Sequence, residues 1–188
     1  MSIATVWGVT VAEQQCEYPC DLLMPAPAWR LLRGVDVAAP VDVVYRWLCQ
    51  IRAAPYSYDW IDNRGRRSPR TPLPWCWELE IGQSFSGIFM LDSFVVDKHL
   101  TLRMAPGIGM RLYGDVAITY SVATVDNATC SRLVAVLRAA EPTSRSSAVR
   151  TWLLSWGDLV MMRKQLRTLA GLAAAEHAAR SIDGRHLG

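Results

Sequence analysis

Residues 148–180 read as one unbroken helix, and a helix of that length needs a broad apolar surface to lie on. At about 1.5 Å per residue it would run roughly 45 Å. Trp152, Trp156, Leu159, Arg163, Leu166, Ala170 and Ala173 recur at spacings of three and four and form its main stripe. Val149, Leu153, Val160 and Leu169 widen it. The stripe is bulky in its first half and small in its second, with Gly157 inside it. A chain that ends this way must supply an apolar partner upstream.

That partner reads as a run of strands. Residues 30–38 form a first strand, and Ala39-Pro40 opens a helix over 41–52 whose stripe is Val44, Trp47, Leu48 and Ile51. Strands are then expected over 84–91, 93–97, 99–104, 112–124 and 130–139. Val116, Ile118, Tyr120 and Val122 share one face of the fourth of these, and in the last Leu133, Ala135 and Leu137 oppose Arg132, Val134, Val136 and Arg138. Short connections predict an antiparallel meander. The expected class is α+β, a curved antiparallel sheet with one covered face wrapped around the long C-terminal helix. Residues 1–29, with Pro19, Pro25 and Pro27, read as an N-terminal extension, 30–180 as the domain and 181–188 as a frayed tail. Residues 63–74 form a loop with three prolines and four arginines. It reads as a solvated loop or as a mobile rim.

Several functions are excluded or disfavoured. In 188 residues no stretch of about 18 runs apolar without a charge, so no transmembrane span is expected. The N-terminus lacks a secretory pattern, which makes a cytoplasmic location and reduced thiols the expectation. A net charge of +3 is too mild to argue for nucleic acid. The five cysteines are not arranged as CxxC pairs, His99, His177 and His186 are scattered, and there is no HExxH, so no metal is expected. Neither GxGxxG nor a Walker sequence nor GxSxG is present, and no cofactor is expected.

The segments RGVDVAAPVDVVYRWLCQI, GQSFSG, SFVVDKHLTLRM and GDVAITYSV, followed by a Trp-rich terminal helix, resemble the START-like helix-grip superfamily, abbreviated SRPBCC. Tyr56-Ser57-Tyr58-Asp59-Trp60 with Asp62-Asn63 is similar to a YSYD-type segment in a group of bacterial members. The resemblance covers residues 30–180. It implies a hydrophobic cavity between the sheet and the last helix, in a superfamily whose members include lipid and sterol carriers, plant allergens, polyketide aromatase/cyclases and chaperone cofactors. The extension bearing Cys16 and Cys20 departs from that pattern. It is suited either to covering a cavity mouth or to association, a homodimer included.

Candidate cavity residues follow. Tyr56, Tyr58, Asp59, Trp60 and Asp62 form the densest polar-aromatic cluster, where a tyrosine could orient a carbonyl and an aspartate act as base. The plainer reading has the aspartates capping a turn and the aromatics packing on the first helix. Arg103 and Arg138 interrupt apolar strands, and would either bind a ligand's polar group or stand on a solvent face. Tyr120 is a candidate lining hydroxyl or a core tyrosine. Trp152 and Trp156 are candidates for the cavity wall or the core. Arg163 on the same stripe needs a partner, which Asp59, Asp62 or an anionic ligand could supply. Three functions fit: binding of a lipid, sterol or polyketide-like molecule, an aromatase/cyclase-type enzyme, or a protein-interaction module.

Overall fold

The computed structural model describes residues 3–24, 28–58, 65–107, 110–111, 114–125, 129–140 and 145–186, with the side chains of the final helix described at 157 and 159–182. In chain order the elements are β1 (Val6–Trp7), α1 (Val11–Gln15), α2 (Pro19–Leu23), β2 (Ala28–Val37), α3 (Val41–Cys49), β3 (Ser84–Phe85), β4 (Phe89–Val95), β5 (His99–Met104), β6 (Val116–Val125), β7 (Cys130–Ala140) and α4 (Arg145–His186). Short 3-10 turns lie at Gln50–Arg52 and Pro74–Trp77. The described strands make one sheet in the order β1-β2-β7-β6-β5-β4-β3. β1 runs parallel to β2, and the other pairings are antiparallel. The sheet with α4 against it is the helix-grip α+β fold. No described helix is long and apolar enough to cross a membrane.

Strand register decides which side chains meet α4. Leu31, Leu137, Ile118, Leu102 and Leu91 stand side by side across five strands. Arg33, Ala135, Tyr120, Leu100 and Phe94 form the neighbouring row on the same face. Against this face α3 contributes Val43, Val44, Trp47 and Leu48, while α4 contributes Met162, Leu166, Leu169 and Ala173. The helix is therefore rotated from the expected stripe. Met162, Leu166, Leu169 and Ala173 repeat at four, three and four, whereas Val160, expected to widen the stripe, is 49% exposed. At about 100° per residue Val160 lies roughly 120° around the helix from Leu166, too far to share its face.

The sheet is covered on both faces, not one. Leu32, Ala117, Val134 and Val136 point outward and are buried beneath Tyr18, Cys20 and Met24 of the N-terminal segment. That segment is tied down by hydrogen bonds. The Cys20 amide donates to Thr119 Oγ1 at 3.0 Å, and Arg138 donates to the Met24 carbonyl at 2.7 and 3.0 Å. Arg132 reaches Glu13 at 2.7 Å, Asp36 at 3.0 Å and the Gly8 carbonyl. Arg30 pairs with both oxygens of Asp21 at 3.0 Å. Thr10 and Glu13 form a capping box that starts α1. Gly8 and Gly34 allow a close approach of the two segments, since a Cβ on Gly34 would stand 2.5 Å from Arg132 Nη2 and 2.9 Å from the Gly8 carbonyl oxygen. The extension is thus a strap across the outer face of its own sheet.

Residues 84–91 were expected as a single strand and are divided. Ser86 (φ 48°) and Gly87 (φ 73°) adopt left-handed backbone and turn the chain between β3 and β4. β4 then runs on through 93–95, with its register shifted between Leu91 and Ser93. The arginine-bearing loop is pinned at its end, where Gln50 Oε1 accepts from the Leu73 amide at 2.8 Å.

Two predictions follow from these contacts. Leu166→Ala removes a fully buried side chain and should cost about 2–5 kcal/mol in urea unfolding, whereas Val160→Ala should change stability by only about 0.5 kcal/mol. Equal effects would place α4 in another rotation. The hydrogen bond from Arg132 holds the Glu13 carboxyl below its usual value of 4.5. A lowered folded-state pKa stabilises above the unfolded value, and that contribution is lost as pH falls through the folded one. Glu13→Gln should therefore melt below the parent protein near neutral pH, with the two melting curves converging as pH drops beneath 4.5.

Candidate functional site

The polar groups inside the grip are few, and they face each other. Tyr120 comes from the inner face of β6 and Gln165 from the buried side of α4. The Tyr120 hydroxyl donates to Gln165 Oε1 at 2.8 Å and lies 3.8 Å from Met162 Sδ. Gln165 Nε2 in turn donates to the Pro55 carbonyl at 2.6 Å. This chain joins sheet, terminal helix and the segment after α3. Such pairing offsets the cost of removing a hydroxyl and an amide from water. Tyr56 sits beside it, buried, with its ring edge-on to Trp47 at 6.2 Å between centroids. Its φ of 55° is unusual for a tyrosine, and Ser68 Oγ accepts from its backbone amide at 3.3 Å. Trp47 Nε1 donates to Glu176 Oε2 at 2.8 Å, a second polar tie between α3 and α4.

The other candidates are distributed differently from the sequence expectation. Arg103 and Arg138 do not enter the grip, because both share the outward row of Ala117. Arg103 is exposed and paired with Asp115 at 2.7 Å, and Arg138 is buried under the strap. Arg163 also finds another partner. Its guanidinium lies over the Trp7 ring at 5.0 Å, and Arg167 lies over the same ring at 5.3 Å. Roughly 60° around the helix from Leu166, Arg163 reaches the sheet edge, not the interior. Tyr58 is half-buried. Asp59, Trp60 and Asp62 lie outside the described residues, as do the side chains of Trp152 and Trp156.

Gln165 and Glu176 were missed from sequence. Gln165 is one residue before Leu166 on a helix whose stripe was placed slightly to one side. Trp47 was read as core, and its indole donor is what binds Glu176. Arg33 is also buried on the inner row, where its guanidinium donates to the carbonyls of Ala4 at 2.7 Å and Thr5 at 2.9 Å.

Thiol chemistry has no foothold inside. Burial pushes the Cys49 thiol up to about 12 and the Cys76 thiol up to about 11, and it raises Cys20 as well. A thiol held that far above neutrality is a poor nucleophile. All five cysteines are free.

No family model matches the chain, and no curated protein does. Solved structures do. A protein of Nitrosomonas europaea is 14% identical over 79% of this chain and 96% of that one, with a TM-score of 0.50. An aromatase/cyclase of Streptomyces sp. R1128 is 15% identical over 82% and 96%, with a TM-score of 0.45. A member of the major latex protein family from Arabidopsis thaliana is 17% identical over 78% and 98%, with a TM-score of 0.43. At such identities the likeness speaks to fold alone, and it is the START-like, helix-grip fold.

The burial pattern predicts thiol reactivity. Cys16 and Cys130 are exposed and should react quickly with an aromatic disulfide reagent, whereas Cys20, Cys49 and Cys76 should react only on unfolding. More than two fast thiols would show that the strap or α3 opens in solution.

Proposed function

We propose that this chain binds a hydrophobic small molecule, a lipid, sterol or polyketide-like compound, between the sheet and α4. The observation that carries the reading is the Tyr120–Gln165 pair, a polar handle set among apolar side chains of the sheet and α4. Ligand pockets commonly combine apolar walls with a few oriented polar groups. A hydroxyl or carbonyl on the ligand would exchange into that pair, and its apolar body would lie along the row Leu31, Leu137, Ile118 and Leu102. Asp59, Trp60, Asp62, Trp152 and Trp156 remain candidates for the lining on sequence grounds. Binding is the reading the geometry suits, because Gln165 couples Tyr120 to a backbone carbonyl and so fixes the direction of that hydroxyl.

Native mass spectrometry of the purified protein, with lipid extraction of any added mass, tests this directly. A ligand at about 100 times its Kd should stabilise the fold by about 2.7 kcal/mol. For a chain of this size that is roughly 5–10 °C in Tm. Tyr120→Phe should weaken a hydroxyl-bearing ligand by about fivefold to tenfold and spare its deoxy analogue. No co-purifying mass and no thermal shift across a lipid and sterol panel would overturn the reading.

A further inference from the structure

A second concavity lies beside α3, with Phe94 of the inner strand row as one wall. Asp42, Tyr45 and Arg46 fall at helical spacings of three and four on one face of α3. Facing them are Trp77 from the Pro74–Trp77 turn, and Phe94 and Asp97 from the hairpin of β4 and β5. The cleft between these elements has a volume of about 360 Å³.

Its chemistry is specific. Three aromatic rings wall it, and two carboxylates stand at its rim. Trp77 is 38% exposed, a large cost in apolar surface for a side chain with no structural need to face water. The face of that ring already attracts a cation, since the Arg46 guanidinium lies 5.7 Å from its centroid. Arg46 is itself balanced, by Asp42 at 3.2 Å and Glu176 at 3.9 Å. Asp97 has no ion pair among the described residues, and its left-handed backbone (φ 59°) holds it at the tip of the hairpin. The cleft therefore carries negative charge that its own arginine does not cancel.

We propose that this cleft binds a small organic cation, a quaternary or primary ammonium with an apolar body. The ammonium would sit against the rings of Trp77, Phe94 and Tyr45 and near the Asp97 carboxylate. Positive charge over aromatic faces is favourable and grows stronger as water is excluded. An anion would meet Asp97 and Asp42, and a neutral apolar molecule would leave the Asp97 charge unused. The inference stands apart from the proposed inner site in ligand class, and of its walls Phe94 comes from the strand row that carries Tyr120.

The test compares choline with its neutral carbon isostere, 3,3-dimethylbutan-1-ol, by NMR titration of the full chain. Choline should move the Trp77 indole resonance and leave that of Trp47, which lies inside the grip, in place. The isostere should bind about tenfold more weakly, and Asp97→Asn should weaken choline by about the same factor. Because Asp97 is exposed in a turn, that variant should fold as the parent does. Trp77→Phe keeps a ring and should retain most of the affinity, whereas Trp77→Ala should lose it. Equal binding of the two probes, indifference to Asp97→Asn, absence of choline binding, or a shift at Trp47 instead of Trp77 would each overturn the proposal.

Discussion

The central strands β2, β7 and β6 leave neither face of the sheet in water, and most of the structure follows from that. Leu133-Val134-Ala135-Val136-Leu137 on β7 is a continuous apolar run, the pattern of a strand buried on both sides. Alternate residues point to opposite faces, so Leu133 and Leu137 require α3 and α4 while Val134 and Val136 require a second cover. Each such side chain contributes about 1.5–3 kcal/mol when buried. The N-terminal segment supplies the second cover.

Two different strategies hold the two covers in place. The inner one relies on shape, with side chains of α4 interleaved among those of the strands, and on two polar ties, Tyr120–Gln165 and Trp47–Glu176. The strap lays Tyr18, Cys20 and Met24 on the outer face and is tied down by arginines. Arg30, Arg132 and Arg138 rise from the outer face of β2 and β7 and grip carbonyls and carboxylates above them. A planar fork can hold two acceptors at fixed angles, which an ammonium cannot. The near-exclusive use of arginine in this chain, with Lys98 and Lys164 its only lysines, suits that task. What looked like an interrupted apolar strand at Arg138 is an anchoring point.

The parts of the fold that were legible from sequence depend on local periodicity. Alternation placed β5, β6 and β7 within a few residues, and the spacing of Val44, Trp47, Leu48 and Ile51 gave the inner side of α3. The parts that were not legible depend on contacts between distant segments. Nothing near Cys20 in sequence tells that its amide will meet Thr119. The turn at Ser86 and Gly87 was hidden inside a run of strand-forming residues, because a non-glycine residue in left-handed backbone carries no strong sequence mark. The rotation of α4 was missed by a fraction of a turn. That error was enough to favour Arg163 over Gln165, since on a helix neighbouring residues lie about 100° apart. The site follows the same rule: Tyr120 was identifiable from its strand face, whereas its partner was set by how the helix docks.

α3 separates two chemically distinct environments, and Arg46 and Glu176 connect them. Glu176 accepts a hydrogen bond from Trp47 inside the grip, is paired with Arg180 at 2.5 Å, and faces Arg46 at 3.9 Å. Arg46 then extends over Trp77 and to Asp42 in the outer cleft. A cation entering the cleft would compete with Arg46 for the Trp77 face and repel its guanidinium, which stays balanced by Asp42 at 3.2 Å and Glu176 at 3.9 Å. Arg46 and Arg180 both face Glu176 Oε1, whereas Trp47 donates to Oε2, so the indole bond inside the grip is left in place. The competition over Trp77 is confined to partly exposed groups and would be screened by salt.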